Sequence, residues 1–280
     1  MKEFNITTPD MTFAACQWGR DDAPAILALH GWLDNAATFS RLAPLLDGYR
    51  IIAIDQAGHG LSDHRSHDAS YAIWDYAGDL IEIADALGLE CFSLLGHSMG
   101  AIVSVLTAGA FPERVERLML IDGIWPMPTE VDQAPEQLAK AIKHRIRLRS
   151  RNKSVFVSQE EAVAARLRGF GTISEAAARI LVERGIESCV GGWTWRTDAR
   201  LTLPSALRLT HAHAQAFTNR LSMPALLIAA QRGVVIEGVK AHQGELEHIT
   251  IKTLPGGHHL HLEDQAEAVS EAIADFLSSV

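Results

Sequence analysis

The sequence predicts an α/β protein: a doubly wound, mostly parallel sheet of eight strands, with a helical block inserted between two of them. Three observations carry the prediction. Strand-length apolar runs recur between turn residues, at 25–29, 50–54, 91–95, 117–121, 225–229 and 249–254, and near-continuous hydrophobicity marks strands covered on both faces. Longer segments of helical spacing separate them, and strands alternating with helices build a parallel sheet. The alternation then stops between about Ile124 and Leu221, where helical patterns run on without a buried strand.

Two further strands are expected near Lys2 to Thr7 and Thr12 to Trp18, which brings the total to eight. A helix is expected over Ala72 to Leu87, where Ile73, Tyr76, Ala77, Leu80, Ile83, Ala84 and Leu87 form one stripe. Gly88 ends it. Met99 to Phe111 follows the third run and is closed by Pro112, and Ala266 to Leu277 supplies a last amphipathic helix. Within the inserted block, helical patterns cover 135–150, 159–169 and 175–185. Residues 124–221 are therefore expected as a cap over the carboxyl edge of the sheet, where ligands of open α/β sheets bind. Residues 1–123 and 222–280 form the core domain. Gly191 to Asp198 has no helical stripe and is expected as a loop returning toward the site.

Composition narrows the function classes. The chain is 48% hydrophobic and 21% charged, as in ordinary globular proteins. Its formal net charge is −9, and the richest basic stretch, Lys140 to Lys153, reads as a solvated helix face, so no nucleic-acid partner is expected. Cys16, Cys91 and Cys189 are far apart and form no CxxC pair, which suggests reduced thiols and a cytoplasmic location. No secretory signal and no membrane span is expected.

The chemistry starts at Gly96-His97-Ser98-Met99-Gly100, which lies between a buried run and a helix. A tight strand-to-helix turn strains the serine backbone, flanking glycines relieve the crowding, and the Ser98 hydroxyl is left exposed above the sheet. The helix N-terminus favours negative charge there. A turn or N-cap serine is the bland alternative. With Leu29 to Asn35, Asp55 to Asp63 and Gly257-His258, this segment resembles the α/β-hydrolase superfamily, and within it most of all the serine hydrolase-like group. The resemblance spans nearly the whole chain and implies the α/β-hydrolase fold.

The resemblance implies roles residue by residue. His30-Gly31-Trp32 matches the oxyanion loop, so Trp32 and Met99 would supply backbone N–H donors. The glycines of Gly58 to Asp63 suit a scaffold turn. His258 matches the base by its Gly-His step and by Glu263 five positions on. His259 and His261 read as packing or rim residues, and no metal is expected, although three histidines in four positions and His211-x-His213 raise the question. The acid departs from the pattern: many relatives carry it after the strand matching Ala225 to Ala229, where this chain has Gly233. Asp122, at the end of the preceding run, is the expected substitute, with a structural aspartate, Glu237 or another group as alternatives.

The expected activity is hydrolysis of a small or medium acyl ester through an acyl-enzyme on Ser98, without a cofactor. Thioesterase, lactonase, perhydrolase and carbon–carbon bond hydrolase activities fit the same triad, and a ligand-sensing protein with a residual site is the non-enzyme alternative. Trp125, Phe170, Trp193 and Trp195 are candidate pocket-lining residues.

Overall fold

A computed structural model describes residues 1–148, 153–169 and 171–279. In chain order the elements are β1 (Lys2–Thr7), β2 (Thr12–Trp18), β3 (Ala25–Leu29), β4 (Arg50–Ile54), α1 (Asp75–Ala86), β5 (Phe92–His97), α2 (Met99–Ala110) and β6 (Val115–Ile121). There follow α3 (Ala134–Leu148), α4 (Gln159–Leu167), α5 (Glu175–Gly185), β7 (Ile186–Cys189), β8 (Gly192–Trp195) and α6 (His211–Thr218). The chain then returns through β9 (Ala225–Arg232), α7 (Ile236–Ala241), β10 (Thr250–Gly257) and α8 (Ala266–Ser278). The α/β-hydrolase fold expected from the sequence is the fold observed.

Eight strands form one sheet in the order β1-β2-β4-β3-β5-β6-β9-β10. β1 and β2 are antiparallel, β2 pairs antiparallel with β4, and the remaining pairs are parallel. Successive side chains on a strand face opposite ways, and the core divides accordingly. Leu27, Leu29, Ile52, Ile54 and Leu94 pack with α1 and α2 residues on one face. Ile26, Ala28, Ile51, Ala53 and Leu95 pack on the other with Phe39 and with Val269, Ile273 and Phe276 of α8. Truncating one of the fully buried residues, such as Leu27→Ala, is expected to cost about 2–5 kcal/mol.

α1 is shorter than its stripe predicts and starts at Asp75, where no side chain caps the helix. Gly88 follows it with a φ of 69°, a conformation that glycine adopts freely. α4 and α5 have the serine caps that α1 lacks: Ser158 accepts from the Glu161 amide and Ser174 from the Ala177 amide.

Between β6 and β9 a separate apolar cluster joins Phe156, Val163, Ile173, Ala177, Leu181 and Ile186 with Trp193 and Trp195. Half of the stretch expected as a loop at 191–198 is instead strand, Gly192–Trp195. β8 pairs antiparallel with β7, and Phe156 adds a backbone bridge to Trp193. The sequence conceals this hairpin because its strands are four residues long and its only signal is the Gly191-Gly192 step. α6 lies against the core: a Cβ at Gly109 of α2 would meet the Phe217 carbonyl oxygen at 2.7 Å.

Candidate active site

β5 runs straight into α2, and Ser98 is the hinge between them. Its φ of 53° and ψ of −115° lie outside the ordinary regions for an L-residue. The flanking glycines are required by contact. A Cβ on Gly100 would collide with the Leu29 carbonyl, and one on Gly96 would overlap the Ala101 backbone. The Ser98 amide donates to Ile121 O at 3.0 Å, fixing the elbow to the end of β6.

The last strand brings the imidazole. His258 Nε2 lies 2.9 Å from Ser98 Oγ, and His258 Nδ1 lies 2.6 Å from Asp122 Oδ2. A carboxylate can only accept, so Nδ1 carries the proton and Nε2 is left to accept from the hydroxyl. Asp122 follows β6 with a φ of 44° and is fully buried. Its oxygens also accept from the amides of Ala230 and Val234, at 3.2 and 2.8 Å. Gly233 stands against this carboxylate, and a Cβ there would overlap both oxygens. The missing aspartate after β9 and the presence of Asp122 are thus one arrangement: the glycine leaves room for the carboxylate that arrives from the neighbouring strand. Glu237, the other candidate, points elsewhere and pairs with Lys240 at 2.9 Å.

Trp32 and Met99 lie on the two segments that meet at the elbow. Gly100 abuts the Leu29 and His30 carbonyls, so the chain leaving β3 packs on the first turn of α2. Met99 is the first residue of α2, where backbone N–H groups have no intrahelical acceptor. The Trp32 indole donates to Leu201 O at 2.9 Å.

Next to His258 lies a buried polar cluster that local sequence signals do not announce. Asp34 accepts from Arg166 of α4 at 2.9 Å and from His259 Nε2 at 3.0 Å. Burial pushes the Asp34 pKa up, but His259 and Arg166 outweigh it and hold the carboxyl below the usual range. His97, beside Ser98, donates from Nε2 to the His258 carbonyl at 2.9 Å. Burial foremost, then the neighbouring His261, His258 and His259, depresses its pKa well below normal, so it is neutral. His261 meets Thr38 Oγ1 at 3.0 Å. Neither His259 nor His261 lies on a rim; both are buried packing residues.

The Asp55–Asp63 turn is scaffold, as expected. The Asp55 carboxylate accepts from the amides of Ala36 and Leu61 and from Arg184 of α5. Downstream, Arg200 binds Asp198 and reaches the carbonyls of Arg65, Ser66 and Ala69, while Tyr71 donates to Asp198 at 2.9 Å. The Asp-Arg pair therefore holds the inserted segment to the loop after β4.

Of the four aromatic candidates, Trp193 and Trp195 pack inside the inserted segment, Trp195 against Phe156 at 5.3 Å between ring centroids. Trp125 stands edge-on to His211 and His242. Phe170 lies outside the described residues. Its neighbour Gly171 passes over the base, where a Cβ would sit 3.4 Å from His258 Cδ2.

A strained serine between a buried strand and a helix, hydrogen-bonded to an imidazole that follows the last strand, is the constellation of one class of protein. A family model of the alpha/beta hydrolase fold matches residues 24–147, and the chain belongs to the α/β-hydrolase family. Within it the chain is similar to serine hydrolase-like proteins. It is 34% identical over 282 residues to one from Dictyostelium discoideum, covering 94% of this chain and 78% of that protein. It is 31% identical over 288 residues to one from Danio rerio, covering 98% and 88%. Among solved structures, a hypothetical protein from Pseudomonas aeruginosa is 52% identical, with a TM-score of 0.95 over 99% of this chain and 100% of that one. A thioesterase domain from the curacin biosynthetic pathway is 25% identical, with a TM-score of 0.85 over 98% and 99%. Among the described residues, no helix is long and apolar enough to cross a membrane.

Proposed function

We propose that the protein is a serine hydrolase that cleaves a small or medium acyl ester through an acyl-enzyme on Ser98. The observation that carries this reading is the bonded series Ser98, His258, Asp122, at 2.9 and 2.6 Å. Ser98 Oγ attacks the acyl carbonyl while His258 Nε2 takes its proton, and Asp122 stabilises the imidazolium that forms. The amides of Trp32 and Met99 receive the oxyanion; such a donor is worth about 3–4 kcal/mol of barrier. The imidazolium then protonates the leaving alcohol, and a water activated by the same imidazole releases the acid and restores Ser98.

We read residues 124–221 as the cap that bounds the acyl pocket; the passage of Gly171 beside His258 supports this. Trp125 is the candidate lining residue closest in sequence to Asp122. Three free cysteines support a reducing compartment, hence the cytoplasm. A thioester substrate is the second reading, favoured by the likeness to the curacin thioesterase domain.

A fluorophosphonate probe tests the mechanism. Labelling of the wild type that vanishes in Ser98→Ala supports the enzyme, whereas folded protein that takes no label is a ligand sensor with a residual site. A chain-length series of p-nitrophenyl esters beside matched thioesters, run on both proteins, then separates the two substrate classes.

A further inference from the structure

Outside the Ser98–His258–Asp122 series, three ligand-type side chains converge. His211 opens α6, His242 caps the end of α7, and Glu245 lies in the short 3-10 turn that follows. Glu245 bridges the two imidazoles, one oxygen 2.8 Å from His211 Nε2 and the other 2.9 Å from His242 Nδ1. The ring centroids lie 4.3 Å apart with their planes tilted by 33°, and the candidate donor atoms all fall within 4.8 Å of one another. We propose that His211, His242 and Glu245 form a binding site for a divalent transition-metal ion, zinc above all.

The donor set is the first argument. Two imidazoles and one carboxylate are a recognised set of three protein ligands for zinc, with the fourth position open to water or an anion. In a tetrahedral site with zinc–nitrogen bonds of about 2.0–2.1 Å, donors stand roughly 3.3 Å apart. The observed donors reach that spacing by small side-chain rotations, for which they have room: the His211, His242 and Glu245 side chains are 34%, 39% and 28% exposed. An incoming ion would meet water on one side and preassembled ligands on the other.

The surroundings are the second argument. Trp125 stands edge-on to both imidazoles, at 5.3 and 5.6 Å between ring centroids, and its buried Nε1–H has no acceptor. A buried donor without a partner is uncommon, and this one belongs to a ring in contact with both imidazoles. The formal charge of −9 favours cation capture overall. Among the described residues one other group has ligand-type spacing, Asp34 with His97 and His259. It is fully buried, and the Arg166 guanidinium already occupies its carboxylate. The ion would join α6, which packs on α2, to the turn after α7, and so staple the inserted segment's last helix to the core.

The test titrates the metal-free full-length chain with zinc by calorimetry, and with cobalt(II) by its visible absorption. The wild type is expected to bind one equivalent and to give cobalt bands of a four-coordinate site with nitrogen and oxygen ligands. The Tm should rise with zinc concentration, since only the folded chain presents the three donors together. His211→Asn, His242→Asn and Glu245→Gln each keep a hydrogen-bonding side chain and should each weaken zinc binding at least ten-fold, with the fluorophosphonate labelling of Ser98 retained as proof of folding. The proposal is overturned if the wild type binds no zinc at millimolar concentration, or if His211→Asn/His242→Asn binds it as tightly as the wild type.

Discussion

Gly233 lies against Asp122 so closely that any side chain at 233 would occupy the space of the carboxylate. The two residues are 111 positions apart and on neighbouring strands, yet each explains the other. A Gly233→Ala substitution should push Asp122 away from His258 Nδ1. Misplacing a catalytic group by about 1 Å costs on the order of 100-fold in rate. Reduced kcat in a folded variant is the expected result, and a wild-type rate would mean that Asp122 tolerates displacement and does not orient the base.

Asp122→Asn tests the carboxylate directly. The amide no longer holds the imidazole in its working tautomer, and the loss in the corresponding serine protease substitution is about 10⁴-fold. Turnover of an activated ester should fall by at least 100-fold while the circular dichroism spectrum is kept. Unchanged turnover would remove Asp122 from the mechanism.

Arg166→Met should destabilise through Asp34. The carboxylate is 2% exposed, and the Arg166 guanidinium pairs with it at 2.9 Å. Removing one partner of a buried pair costs about 3–5 kcal/mol. Because folding lowers the Asp34 pKa, the stabilisation is complete above the unfolded carboxylate range near pH 4 and is lost as pH falls further. Urea midpoints of wild type and variant should therefore differ most near pH 7 and converge under strong acid; a constant gap would assign the effect to lost packing instead.

The buried histidines set a second pH dependence. Burial lowers the pKa of His30 to about 4, of His59 to about 3, and of His97 and His261 well below normal. The unfolded chain binds these four protons near pH 6.5 and the folded chain does not, so stability falls as pH drops below that value. Each proton contributes about 1.4 kcal/mol per pH unit. Asp79, raised to about 6 by burial, and Asp55, raised by the same cause, oppose them. The net expectation is a loss of stability between pH 6.5 and 4.5, which His261→Gln should flatten. Stability that is level over this range would exclude it.

Much of this was legible in the sequence because the informative signals are local. Strands buried on both faces read as continuous apolar runs, and Gly96 to Gly100 records in five residues the crowding around Ser98. His258 was readable from its Gly-His step, and Asp122 from its place at the end of β6. Asp34 with Arg166 was not: they are 132 positions apart, and nothing near either residue announces the other. His211 and His242 were hidden in the same way, since only the fold brings the start of α6 to the end of α7. The β7–β8 hairpin escaped because four-residue strands show too little alternation to stand out from a loop.

Arg184 and Arg200 rivet one half of the inserted segment to the sheet-edge loops, through Asp55 and through the carbonyls of 65, 66 and 69. Arg166 of α4 adds a further tie through Asp34, whereas α3 buries little apolar surface. In α3, Ala141 is the single residue withdrawn from water, and Leu138, Ile142 and Ile146 all stay exposed. Local opening is cheapest where least apolar surface is buried, so amide protons over 134–148 should exchange with solvent ahead of those over 175–185. The inserted segment would then loosen first at α3, with α5 as its fixed jamb.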